Sequence, residues 1–329
     1  MLRIPPSHTW RALPILLALA FFCSLPAFAG SALSGTWVQL NPATSPSARD
    51  VSAMAYDASI GKVVLFGGFD GSYLNDTWTF DGTNWTQINT TNAPTPRTSA
   101  MMAYDSRTKK LILFGGYDGT NYLADTWIWD GASSSWTQAN PANSPTGVAG
   151  AMLFTDPKDG HVDLYGGFAG RFYQSSNWQW TGSNWNQLSP ATSPYARGWA
   201  AVGTDLKRHI TILSGGIGDL NTLNSWSWDG SNWTMLNPKT QLPRVANADG
   251  AYDPDFGVVI IFGGFTGNGG DSTTWAWTGN NWFLGMPLQS PPGRQFPGTA
   301  YDFNSKQMLI FGGDNFTSYL GDTWQLTRQ

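Results

Sequence analysis

Two hydrophobic patterns alternate along this chain. The first is a short β-branched and apolar run, as in Val63–Phe66 or Val258–Phe262. Such a run lacks polar alternation and reads as a strand buried on both faces. The second is a tryptophan pair at i and i+2: Trp127/Trp129, Trp178/Trp180, Trp226/Trp228 and Trp275/Trp277. Alternate residues of a strand share a face, so each pair lays an aromatic slab on one side. Small-residue runs such as Val51–Tyr56 supply another strand. Segments opening on Trp85, Trp136, Trp185, Trp233 and Trp282 supply a fourth. Turn formers stand between them, as in Asp229-Gly230-Ser231-Asn232. The pattern predicts an all-β chain of four-strand units, with strands a to d in that order.

The unit recurs six times. A Gly-Gly pair follows strand b at Gly67, Gly115, Gly166, Gly215, Gly263 and Gly312, a period of 48 to 51 residues. An Asp stands ten residues before each pair, at Asp57, Asp105, Asp156, Asp205, Asp253 and Asp302, and a Trp follows 11 or 12 residues after its first Gly. The sixth unit ends soon after Trp324 and lacks strand d. Its counterpart is Trp37-Val38-Gln39-Leu40 at the other end of the chain. The interval from this Trp to the next turn Asp is 20 residues, as in every other unit. A closed ring leaves only short protected edges, so the N-terminal strand is expected to complete the last unit.

Gly-Gly after an apolar strand, then Asp-x-Trp as in Asp76-Thr77-Trp78, Asp125-Thr126-Trp127 and Asp322-Thr323-Trp324, resembles the Kelch family. The resemblance covers Gly30 to Gln329 and implies a six-bladed β-propeller of four-stranded blades, forming one domain. It does not imply one activity, because Kelch propellers include binding modules and enzymes alike.

Composition sharpens this picture. The chain has 18 Trp and 38 Gly, and all 22 of its acidic residues are Asp. Asp favours turns where Glu favours helices, which suits strands joined by tight turns. Residues 1–29 read as a secretory signal peptide. Arg3 and Arg11 form a positive start, Ala12–Leu25 an apolar stretch too short to span a bilayer, and Ala27-Phe28-Ala29 a cleavage signal. The expected product is exported, extracellular or periplasmic. Cys23 is the single cysteine, so the mature domain would carry no disulfide. Without the leader, 16 basic residues face 22 acidic ones, which argues against a nucleic-acid partner. No later segment reaches the ~20 apolar residues of a membrane helix. A monomer is expected.

Chemistry is scarce. His161 and His209 are the two histidines after the leader, and both fall beside a–b turns in different blades. No Cys/His metal spacing, nucleophile-base arrangement or glutamate acid-base pair occurs. Galactose oxidase sits on a related propeller, but its copper site needs a cysteine cross-linked to tyrosine, which a mature domain without Cys excludes. No cofactor is expected. Residues recurring in every blade belong to the blade, so the turn Asp, the Gly-Gly pairs and most Trp read as structural. An arginine series ends the d–a linkers at Arg49, Arg97, Arg197, Arg244 and Arg294, with Val148 in blade 3. These guanidinium groups are expected to ring one mouth of the central channel. Around it stand aromatic b–c loops, including Phe69, Tyr73, Tyr117, Tyr122, Phe172, Tyr173, Phe316 and Tyr319, together with Arg171 and Trp199. Arg forks grip anions and carbonyls, and aromatic faces hold sugar rings or apolar side chains. The expected function is therefore a non-catalytic binding module for a glycan or protein ligand. The alternatives are a sugar-active enzyme of the sialic-acid mutarotase or epimerase kind, which the resemblance admits, and a surface scaffold.

Overall fold

A computed structural model describes residues 35–328 apart from Asp219, Asn221, Arg244 and Asn268. The expected leader lies outside the described residues. The described chain is all strand and turn, in six antiparallel four-stranded sheets arranged as a β-propeller. Blade 1 shows the plan: strand a is Ala53–Asp57, b is Lys62–Phe69, c is Tyr73–Phe80 and d is Trp85–Ile88. Blades 2 to 5 repeat it, with strand a at Met101–Asp105, Met152–Thr155, Ala201–Asp205 and Asp249–Asp253. Blade 6 runs Gly298–Asp302, Gln307–Phe311 and Thr323–Arg328. Its fourth strand is Gly35–Leu40, paired antiparallel with Thr323–Arg328 from Gly35↔Arg328 to Leu40↔Thr323. Strands a pack side by side around the centre, blade 6 returning to blade 1.

The two-faced apolar strands explain the seams. Val63 and Leu65 of strand b face blade 6 with Leu309 and Phe311, while Val64 and Phe66 face blade 2 with Leu111 and Leu113. Six such apolar clusters fill the six seams. Each seam also carries a buried hydrogen bond from a strand-d indole to strand c of the preceding blade. Trp136 donates to Thr77, Trp185 to Thr126, Trp233 to Asn177 and Trp282 to Ser225. Trp37 donates to Thr274 and Trp85 to Thr323, so the relay runs once around the ring.

The turn Asp behave as expected: the Asp57 carboxylate accepts from Ser59 N–H, and Asp105 from Arg107 and Thr108 N–H. The Gly-Gly pairs do more than open a loop. Gly68 N–H donates to Arg97 O of the next blade, and its counterparts repeat this bond as far as Gly313 to Arg49 O. A Cβ on Gly68, at φ +104°, would stand 2.6 Å from Asp50 O. Beyond the pair the chain returns as a tight hairpin, with bridges such as Tyr117↔Tyr122 and Phe168↔Tyr173. In blade 1 the pair forms a β-bulge inside strand b.

Candidate functional site

The arginine series is corrected first. Arg49, Arg97, Arg197 and Arg294 are at most 1% exposed, so they offer no guanidinium to a ligand at a mouth. Each forks inward. Arg49 donates to both oxygens of Asp76 at 2.5 and 2.8 Å and to Gly67 O, and Arg97 meets Asp125 and Gly115 O in the same way. Arg294 meets Asp322 and Gly312 O. Arg197 meets Asn224 and Gly215 O. The physical reason is desolvation: a guanidinium buried by the blade must satisfy its donors there. Burial alone would raise the Asp76, Asp125 and Asp322 carboxyls, but the arginine bonds and charge hold them below their ordinary value. Arg197 lacks a carboxylate, and burial pushes it down to about 10.

The alignment of blade 5 also changes. Gly216 N–H meets Val245 O, as Gly68 N–H meets Arg97 O. Val245, not Arg244, therefore holds the frame position, and Arg244 lies outside the described residues. The signal that could have revealed these pairs is internal. Where Arg becomes Val148 or Val245, the Asp partner becomes Ser176 or Thr273. In blades 3 and 5 the two are lost together, while blade 4 keeps Arg197 with Asn224 in place of the Asp. Where the carboxylate is missing in blades 3 and 4, the Trp178 and Trp226 indoles have no hydrogen-bond partner, whereas Trp78 and Trp127 donate to Asp76 and Asp125.

The d–a mouth is shut. Val51, Ser99, Gly150, Trp199, Asn247 and Phe296 occupy one equivalent place per blade, and all have φ between +45° and +61°. Each N–H donates to the carbonyl of the preceding member, from Ser99 to Val51 around to Val51 to Phe296, at 2.7–3.3 Å. Five of the six are not glycine, and β-branched Val51 in this region is strained. Trp199 lies within this ring, over Gly150, where an added Cβ would stand 2.3 Å from the indole.

Outside the ring, the aromatic residues of the b–c hairpins do come together. An arc of partly exposed rings runs Tyr319, Phe69, Tyr73, Tyr117, Tyr122, Phe168, Tyr173 and Trp199. Successive centroids along it lie 4.9–6.4 Å apart. Most contacts are tilted or edge-on, as ring quadrupoles favour. Tyr73 and Tyr122 lean onto Gly119 and Gly170 of the following blade, where a side chain would collide with them. Of the expected residues, Phe69, Tyr73, Tyr117, Tyr122, Tyr173, Tyr319 and Trp199 join this arc, and Phe168 is the member that was not expected. Arg171 and Phe172 are exposed and pair with each other, the guanidinium 5.1 Å from the ring centre. Phe316 packs on Phe265 elsewhere on the face.

His161 and His209 lie at the a–b turns, with His161 Nδ1 3.5 Å from Asp105. Among the described residues, no group of three or more His, Cys, Asp or Glu is placed to hold a metal ion, and no helix is long and apolar enough to cross a membrane.

Residues 31–216 match the KLHDC2/KLHL20/DRC7 Kelch-repeats domain family. A comparison with curated proteins finds no match.

Proposed function

The chain belongs to the Kelch-repeat family, and from that premise we propose that it is an exported, non-catalytic binding module whose glycan or protein ligand docks on the b–c face. Kelch propellers commonly serve as interaction modules, with loops that vary on a constant frame. The observation that carries the reading is the unbroken arc of eight partly exposed aromatic rings. Aromatic faces bind apolar sugar surfaces or aliphatic side chains without a charge partner. The arc ends in blade 4, where Ile217 stands in the place of Phe69, Tyr117 and Phe168, so it is not a requirement of the fold. A sugar-active enzyme would use arginines on an anionic sugar, and the four described members of the linker series are spent on Asp76, Asp125, Asn224 and Asp322, which leaves Arg171 as the exposed arginine of that set.

The test is a glycan array and a pull-down with the exported domain, followed by titration of whatever binds. Tyr73→Ala with Tyr122→Ala is expected to weaken binding by about tenfold or more, from two lost ring contacts of roughly 1 kcal/mol each. Lys109→Ala with Lys110→Ala, on the a–b side, is expected to leave it unchanged. Loss of binding only in the lysine pair would place the docking face at the other end of the ring.

A further inference from the structure

The centre of the propeller holds a cavity of about 490 Å³, within the size range of small-molecule sites. It is a blind channel. The ring that includes Val51, Ser99 and Trp199 closes one end. At the other end the exposed a–b turn residues Ala58, Ser106, Leu206 and Phe303 rim an opening. Strands a supply the wall, which is apolar at Met54, Met102, Leu153 and Val202 and aromatic at Tyr104 and Tyr301.

One residue does not belong to that wall by type. Among the described residues, Asp249 is the one charged side chain lining either the channel or the small space under the ring. It opens strand a of blade 5, where the other blades carry Ala53, Met101, Met152, Ala201 and Gly298. The blade therefore does not require an acid there. Its oxygens accept from the Gly250 and Thr299 N–H groups at 2.8 and 3.2 Å, both uncharged donors. No ion pair with it occurs among the described residues. Asp249 is half-buried, and a carboxylate on an apolar wall without a counter-charge is a favourable partner for a cationic group that enters the channel.

We propose that this channel binds a hydrophobic organic amine, its ammonium group against Asp249 at the blind end and its apolar body along the methionine and tyrosine wall. A metal ion would need several oxygen ligands, which an apolar wall does not supply. An alkyl or aryl body suits polarisable methionines, and an ammonium group also gains from nearby aromatic faces. The site is separate from the b–c face and stands without the reading of that face.

Isothermal titration of the purified protein with phenylpropylamine, phenylpropanol and phenylpropanoate tests this. At about pH 8 the amine is expected to bind about tenfold or more tighter than the alcohol, the scale of one charge-assisted contact, and the carboxylate to bind weakest. Asp249→Asn should bring the amine to the alcohol's level. In the unaltered protein the amine's advantage should shrink at about pH 5, because burial pushes the Asp249 carboxyl up to about 6. Among the other groups on the wall, burial pushes the phenols of Tyr56, Tyr104 and Tyr252 further up, so they stay neutral across this window. On the strands packed against Asp249, the acids Asp205 and Asp302 sit at the far, a–b end. Equal affinity for amine and alcohol, no amine binding, or an amine advantage that survives in Asp249→Asn would overturn the assignment. The pH pair decides it in the unaltered protein even if the variant fails to fold.

Discussion

A guanidinium with at most 1% exposure has lost its water, so its bonds to Asp and carbonyl oxygen are obligatory rather than ornamental. Removing one partner strands the other. Arg97→Val is expected to cost about 2 to 4 kcal/mol, slightly below the range for a fully buried pair because the Asp125 side chain is 22% exposed. Adding Asp125→Thr to that variant copies the Val245/Thr273 arrangement of blade 5 and should recover more than half of the loss. Urea denaturation of the two variants checks both halves, and a double variant no better than the single one would count against the coupled pair. Asp50 makes a second residue-scale case. Burial first, then the charge of Asp314, push its carboxyl up to about 7. The folded-state value lies above the unfolded one, so its contribution to stability is present at low pH and is lost as pH rises through about 7. Asp50→Asn should therefore melt several degrees above the parent at about pH 8. Thermal unfolding across a pH series should show that gap shrinking towards about pH 4.

At the scale of the element, a blade has its own strand ladder and is tied to its neighbours by what its strands and linkers reach. Strand b is apolar on both faces because it fills two seams. Strand d is polar outward but anchors its Trp in the preceding blade. The linker into strand a contributes its Arg inward and, two residues later, one member of the ring that shuts the channel. That ring accepts left-handed backbone at Val51, Ser99, Trp199, Asn247 and Phe296. Such strain persists only where the surroundings impose it, and here a closed circuit of six N–H to carbonyl bonds does so. Gly150 is the exception that the Trp199 ring requires. Gly150→Ala combines a strained φ of +61° with a Cβ inside the indole. It should destabilise the domain by about 2 kcal/mol or more through overpacking and strain. Trp199→Ala should relieve most of that loss when added to it. Melting temperatures of the single and double variants give the measurement.

The whole molecule is a circuit with two different ends. The seam between blades 5 and 6 depends on Trp37, which is fully buried against Phe262 and donates to Thr274. Deleting Gly35–Leu40 removes that indole and leaves the edge of Thr323–Arg328 unpaired. It should lower the melting point far more than deleting Gly30–Leu33, with loss of a buried Trp alone worth about 3 to 5 kcal/mol. Equal melting of the two deletions would show that this strand does not matter to the ring. The aromatic arc and the channel opening then face opposite ways, so a ligand on one does not obstruct the other.

Much of the fold was legible because propellers repeat. The Gly-Gly pairs, the turn Asp and the constant 20-residue interval after Trp37 are local periodicities that a linear chain displays directly. The frame pairs were legible too, through the joint replacement of Arg and Asp by Val148 and Ser176, but only by comparing positions some 28 residues apart in each blade. What the chain could not display was direction. The position of Arg49 at the start of the innermost strand suggests a cation at a mouth, whereas packing turns it inward to Asp76 and Gly67. The aromatic b–c residues were visible one by one. Their union into an arc follows from the rotation between blades, which sets Tyr73 over Gly119 and Tyr122 over Gly170. Asp249 looked like one of many Asp, and only closing the ring put it at the blind end of an apolar channel. Periodicity along the chain specifies which strands form and how they pair, because those contacts are short-range and repeated. Which side chains meet across seams and around the axis is settled by the geometry of closure.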